Sequence, residues 1–181
     1  MVLRVDRYFE TFRGLNSAVG ITRKLLPSTT EIEAELQMTN DDTFLRLFEA
    51  QAILRADWNH RSHLRIAYIY LTRLPFETAL NKMRDGVRAY NAANGIEDTP
   101  TSGYHETMTC AFMHLVYSTL CQYGASESSG QFLNEHSQLN SKRILLLFYS
   151  RNRIMSAEAK DRFIEPDLAP LPKAMPNCLP M

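Results

Sequence analysis

The chain has 181 residues, 45% of them hydrophobic, with 20 basic and 20 acidic side chains and a formal net charge of zero. That length and apolar content suit one domain around a single core and exclude a chain disordered throughout. The charge balance excludes a polybasic nucleic-acid surface, and no run of 18 apolar residues is present to span a membrane.

The three cysteines, Cys110, Cys121 and Cys178, have neither the density of a disulfide scaffold nor the spacing of a metal knuckle. With no secretory pattern at the N-terminus, the expectation is a cytoplasmic protein. Its partner would be a small hydrophobic or aromatic substrate rather than nucleic acid or membrane, and a homodimer is compatible with the sequence.

The first 38 residues read as an N-terminal arm or a first short helix, closed by Leu25-Leu26-Pro27. Asn40-Asp41-Asp42 then looks like a helix start before TFLRLFEAQAIL, where Phe44, Leu47, Phe48 and Ala52 form an apolar stripe. Glu49 lies among these residues and needs a partner, because an unpaired buried carboxylate is costly. Asn59 is the expected N-cap of a central helix over His60 to Arg73, with Leu64, Ala67, Tyr68 and Leu71 facing inward. Pro75 opens the next helix, which presents Phe76, Ala79, Leu80, Met83 and Val87. Gly86 lowers the helix propensity there without removing the pattern.

Asn94-Gly95 signals a turn, and IEDTPTSG reads as a loop over one end of a bundle. Ser102 is the candidate cap of the following helix, with Thr101 or Gly103 as shifted boundaries. In that helix His105, Met108, Phe112 and Leu115 recur on one apolar side, and His114 points almost opposite His105. After a small polar loop over 124 to 130 comes a short segment with Phe132, Leu133 and His136. KRILLLFYS reads as helix introduced by Asn140 or Ser141, and Ser156 as the cap of AEAKDRFI, with Glu158 and Lys160 in solvent. Pro166, Pro170, Pro172, Pro176 and Pro180 forbid a long closing helix and mark 166 to 181 as a proline-rich tail. The expected architecture is therefore an all-α, single-domain helical bundle, with its core over residues 39 to 165.

His60 and His63 sit about one turn apart at a helix start, which suits metal ligation. With Glu49 and His105 they make a one-carboxylate, three-imidazole set suited to Zn²⁺, with Fe²⁺ or Mn²⁺ as alternatives. A second arrangement uses His60, His63 and His105 alone and leaves Glu49 or Glu106 as an orienter or acid/base. A structural histidine network and a metal-free acid/base site stay open beside both. No glycine-rich phosphate loop, dinucleotide fingerprint or serine nucleophile elbow is present.

WNHRSHLRIAYIYL followed by GYHETMTCAFMHLV resembles an all-helical bacterial and fungal family with FxHRxHLRxAxxYL and FHxTxTxxxxxLV segments. Related to it are the haemocyanin-like, zinc-dependent cyclopenases of fungal quinolone-alkaloid biosynthesis, a branch of secondary metabolism. These contract the cyclopenin ring to viridicatin with loss of methyl isocyanate. The resemblance covers about residues 40 to 165 and implies a haemocyanin-like fold and a zinc-dependent lyase with His60, His63 and His105 as ligands, and Glu49 as a fourth. It also implies proton transfer by Glu106 or Glu49 and a Tyr104 that orients a polar oxygen or stacks beside an aryl substrate, with Tyr68, Met108 and Phe112 as an apolar wall, a place that ordinary core packing explains equally. The chain departs from copper haemocyanins in lacking two three-histidine motifs, which argues against O₂ binding. A metal-dependent hydrolase and a non-catalytic helical binding protein are the alternatives.

Overall fold

A computed structural model describes residues 40–172. The arm or short helix expected over residues 1 to 38, and the tail beyond Pro172, lie outside the described residues. We number the described helices α1 (Asn40–Glu49), α2 (His60–Arg73), α3 (Phe76–Ala93), α4 (Glu106–Tyr123), α5 (Ser129–Glu135), α6 (Arg151–Ile154) and α7 (Ala157–Asp161). Two 3₁₀ turns, Ser137–Asn140 and Lys142–Leu147, separate α5 from α6. Among the described residues there is no sheet, only an isolated bridge between Thr99 and Ser102. The all-α expectation holds for them.

Helix α2 is the centre of the bundle, packed against α1, α3, α4 and α5. Its sequence explains that place. From Ile66 to Leu71 every residue is buried, so the helix is apolar around its circumference and must be covered on all sides. Asn59 caps it by accepting the Ser62 N–H at 3.3 Å, as the sequence suggests.

Helix α1 stops earlier than its apolar stripe implies. The helix ends at Glu49, Gln51 turns into the left-handed region at φ 54°, and Ala52 is exposed while Ile53 folds back into the core. Gly86 has a role that propensity alone hides. A Cβ there would stand 2.6 Å from the ring of Phe48, which is fully buried and stacked on Trp58 at 5.3 Å. The glycine admits that ring between α1 and α3.

The boundaries of the last third also differ from the sequence reading. Helix α4 is capped not by Ser102 but by His105, whose side chain accepts the Met108 N–H at 3.3 Å. Residues 142–147 of KRILLLFYS form a 3₁₀ turn rather than an α-helix, with Ser141 capping that turn and Ser150 capping α6 after it. Lys160 is not solvated: it donates to the Asp98 carboxylate and to the Ser102 and Tyr104 carbonyls. It thereby ties the 95–105 loop to α7. The irregular segment after α7 lies on the core, with Thr107 Oγ1 donating to the Arg162 carbonyl at 2.8 Å and Tyr149 Oη to that of Ile164 at 3.1 Å.

Candidate functional site

The start of α2, the start of α4 and the 142–155 segment enclose a cavity of about 450 Å³. Its floor is apolar: Leu64 and Ala67 come from α2, Met83 and Val87 from α3, Phe112 and Met113 from α4. His60, His63, His105 and Tyr104 line the same cavity. An apolar concavity of this volume with a few polar groups has the usual form of a small-molecule site.

The three histidines share the cavity but differ in what their nitrogens do. His105 is fully engaged. Its Nδ1 accepts the Met108 N–H, and its Nε2–H donates to the Ile154 carbonyl at 3.0 Å, which assigns the neutral Nε2–H tautomer. His60 donates from Nε2 to the Leu139 carbonyl at 3.0 Å and packs edge-on against Phe112. His63 donates from Nδ1 to the Asn59 carbonyl at 2.8 Å, and its ring lies 4.0 Å from that of Trp58. Nδ1 of His60 and Nε2 of His63 therefore remain as lone pairs without a hydrogen bond from the described residues.

All three imidazoles are held neutral. Loss of water is the main cause for each and lowers the proton affinity of His60 and His105; the Leu139 and Ile154 carbonyls only partly oppose it. The same desolvation takes His63 down to about 4, against the Asn59 carbonyl, with the Lys142 charge, and that of His60 once it is protonated, adding to the fall. A neutral imidazole with a free nitrogen is an acceptor toward a ligand N–H or O–H.

The carboxylates expected at the site are elsewhere. Glu49 does not reach the cavity; it is exposed at the end of α1, accepting from Tyr70 Oη at 3.2 Å and facing Lys82 at 3.5 Å. Glu106 is buried behind Tyr104 in a closed cluster. Arg84 reaches its Oε1 with Nε at 2.8 Å and Nη2 at 2.6 Å, while Tyr104 Oη donates to Oε2 at 2.7 Å and Cys110 Sγ to Oε1 at 3.1 Å. Burial alone would raise the Glu106 pKa, but the bonds from Cys110, Tyr104 and Arg84, with the Arg84 charge, outweigh it and hold the carboxyl below its ordinary value. Burial and Glu106 together push the Cys110 thiol up to about 12 and raise the Tyr104 phenol as well. This cluster keeps its protons in place. Tyr104 offers the cavity its ring, since its hydroxyl is committed to Glu106.

The metal set fares accordingly. Among the described residues no group of three or more His, Cys, Asp or Glu side chains is placed to hold a metal ion. Four of the six ring nitrogens of His60, His63 and His105 are hydrogen-bonded, and two free nitrogens fall short of the three protein ligands that a catalytic zinc takes. The described residues, as hydrogen-bonded here, offer such an ion two imidazole nitrogens rather than three. Of the expected apolar wall, Met108 and Phe112 line the cavity and Tyr68 does not; its hydroxyl donates to the Ser126 carbonyl at 2.6 Å on the α5 side. His114 packs on Phe76, away from the cavity.

The sequence reading missed Lys142, Arg143, Arg151, Leu146 and Met155, which also line the cavity. No local pattern marks them, because the turns that carry them meet α2 and α4 only through long-range contacts, such as His60 with Leu139. No helix among the described residues is long and apolar enough to cross a membrane. No family model, curated protein or solved structure matches the chain.

Proposed function

We propose that the chain is a helical small-molecule-binding protein whose ligand occupies the cavity between the starts of α2 and α4. The observation that carries this is the pairing of an apolar floor with two neutral imidazoles, each keeping one nitrogen free, in the same cavity. The ligand would lie with an apolar body over Leu64, Ala67 and Phe112 and donate an N–H or O–H to His60 Nδ1 or His63 Nε2. Burial lowers the proton affinity of both imidazoles, which keeps them as hydrogen-bond acceptors for a ligand at neutral pH.

Trp58 is the chain's single tryptophan and its ring lies tilted against that of His63, so its fluorescence serves as an internal reporter. The test is titration of the protein with 2-naphthamide, read by calorimetry and by Trp58 emission, beside Ala67→Phe, which fills the floor. Saturable binding that disappears in the folded Ala67→Phe protein is expected. Equal binding to the filled variant would contradict the cavity as the site.

A metal-dependent lyase of the cyclopenase type is the second reading, and a hydrolase on the same ligands is its close variant. It is favoured by one observation, that His60, His63 and His105 all line one cavity. It requires His105 to give up either the α4 cap or the Ile154 carbonyl. Elemental analysis of gently purified protein beside a folded His105→Asn variant separates the two. Stoichiometric zinc in the wild type, lost in the variant, would establish the metal reading.

A further inference from the structure

Around the cavity the charge is one-sided. Four cationic residues, Lys142, Arg143, Arg151 and Lys160, belong to the cavity wall, and no aspartate or glutamate does. Lys160 is already spent on Asp98 and two carbonyls. The other three are exposed, and none has an ion pair among the described residues. Lys142 is close enough that its charge disfavours protonation of both His60 and His63.

Exposed lysines and arginines are ordinary on a protein surface. What sets these apart is their company. Leu146 and Met155, 42% and 52% exposed, line the same cavity, so exposed apolar and cationic side chains share its wall. A wholly apolar ligand would make no use of these cations, and a hydrophilic anion would leave the floor and these two side chains uncovered.

Building on the proposed cavity, we infer that its ligand is an amphipathic organic anion: an aromatic or medium-chain acid with its apolar body on the floor, an O–H or N–H of its own at His60 or His63 and its carboxylate at Lys142 and Arg151, the bare acids named below probing the body and the anion without that donor. Such exposed charge contacts are individually weak and screened by salt, so they select among ligands rather than supply most of the affinity. The burial of the apolar body supplies the rest.

The inference is tested by calorimetric titration of the full chain with 2-naphthoate, octanoate, 2-naphthamide and 2-naphthylmethylamine, at low and high salt. Both acids should bind, and 2-naphthoate should bind about tenfold more tightly than the amide, with the amine weakest and the preference shrinking in high salt. Lys142→Gln combined with Arg151→Gln, both exposed sites, should bring 2-naphthoate to the amide's level with helicity retained. Binding of 2-naphthoate without octanoate would narrow the class to aromatic acids, and the reverse to chain acids. Equal affinity for the naphthalene acid, amide and amine would overturn the anion preference while leaving the cavity in place. No binding of any of the four compounds would overturn the cavity reading, and the anion preference with it.

Discussion

Two polar regions lie on either side of the Tyr104 ring, and they have been resolved in opposite ways. Behind the ring, Glu106 is met by Arg84, Tyr104 and Cys110, and the carboxylate is as satisfied as it can be. In front of it, His60 and His63 each keep a nitrogen unused beside an apolar hollow. A buried charge without partners would destabilise the fold, whereas a neutral imidazole open to the cavity costs little. The first region therefore serves stability and the second is available to a ligand. Polar residues inside a bundle do not announce which of the two they are.

The sharpest way to break this comparison is to damage the closed side. Glu106→Gln keeps the shape but leaves Arg84 beside a neutral amide, and a loss of about 3 kcal/mol is expected in chemical denaturation. A near-neutral result would mean that the cluster is not the structural element it resembles. Gly86→Ala is the next largest. Helix propensity favours alanine by about 1 kcal/mol, yet its methyl would meet the fully buried Phe48 ring, so a net loss of about 2 kcal/mol is expected in the same assay. A stabilised variant would show that the ring can move aside.

His105 sits between the two regions and tests where the boundary runs. His105→Ala should cost about 1 kcal/mol through the lost cap, and His105→Asn should restore most of it, since asparagine is a good N-cap. Ligand binding should survive in the asparagine variant. Loss of binding there, with stability restored, would move His105 to the open side.

The pH dependence of stability separates the two regions by window. The histidines have depressed proton affinity in the fold, so their contribution is complete above the ordinary value of 6.5 and is lost as pH falls from there toward about 4, where His63 takes its proton. Glu106 and Asp41 are depressed too; their contribution is complete above 4.5 and 3.8, respectively, and is lost only below those values. Denaturation at a series of pH values should show a shallow decline first and a steeper one in acid. A flat profile down to 4.5 would mean that the histidines are not desolvated.

Much of this fold can be read along the chain, because its helices follow local rules. The Asn59 cap, the apolar α2 and the proline before α3 each declare themselves within one turn. Where local rules compete, the reading slips. Ser102 looks like a cap, but Gly103 at φ +85° turns the chain against Asp98 and passes the cap to His105, a residue whose capping role leaves no local signature. The site divides in the same way. The three histidines could be found from spacing, whereas their hydrogen-bond partners could not: Leu139 and Ile154 lie 79 and 49 residues from the imidazoles they receive. Those two carbonyls, with the α4 cap, turn an apparent ligand set into one spent histidine and two open ones.

The most direct measurement is a long-range proton–nitrogen correlation spectrum of the imidazole rings at neutral pH, recorded before and after saturation with 6-hydroxy-2-naphthoate, whose phenol O–H can donate to an open imidazole nitrogen. The expected result is three neutral rings, with His105 and His60 protonated on Nε2 and His63 on Nδ1. The ligand should shift the free nitrogens of His60 and His63 and leave His105 in place. Movement of His105 with the others unmoved, or no movement of His60 and His63 at saturation, would contradict the division between the closed and open sides.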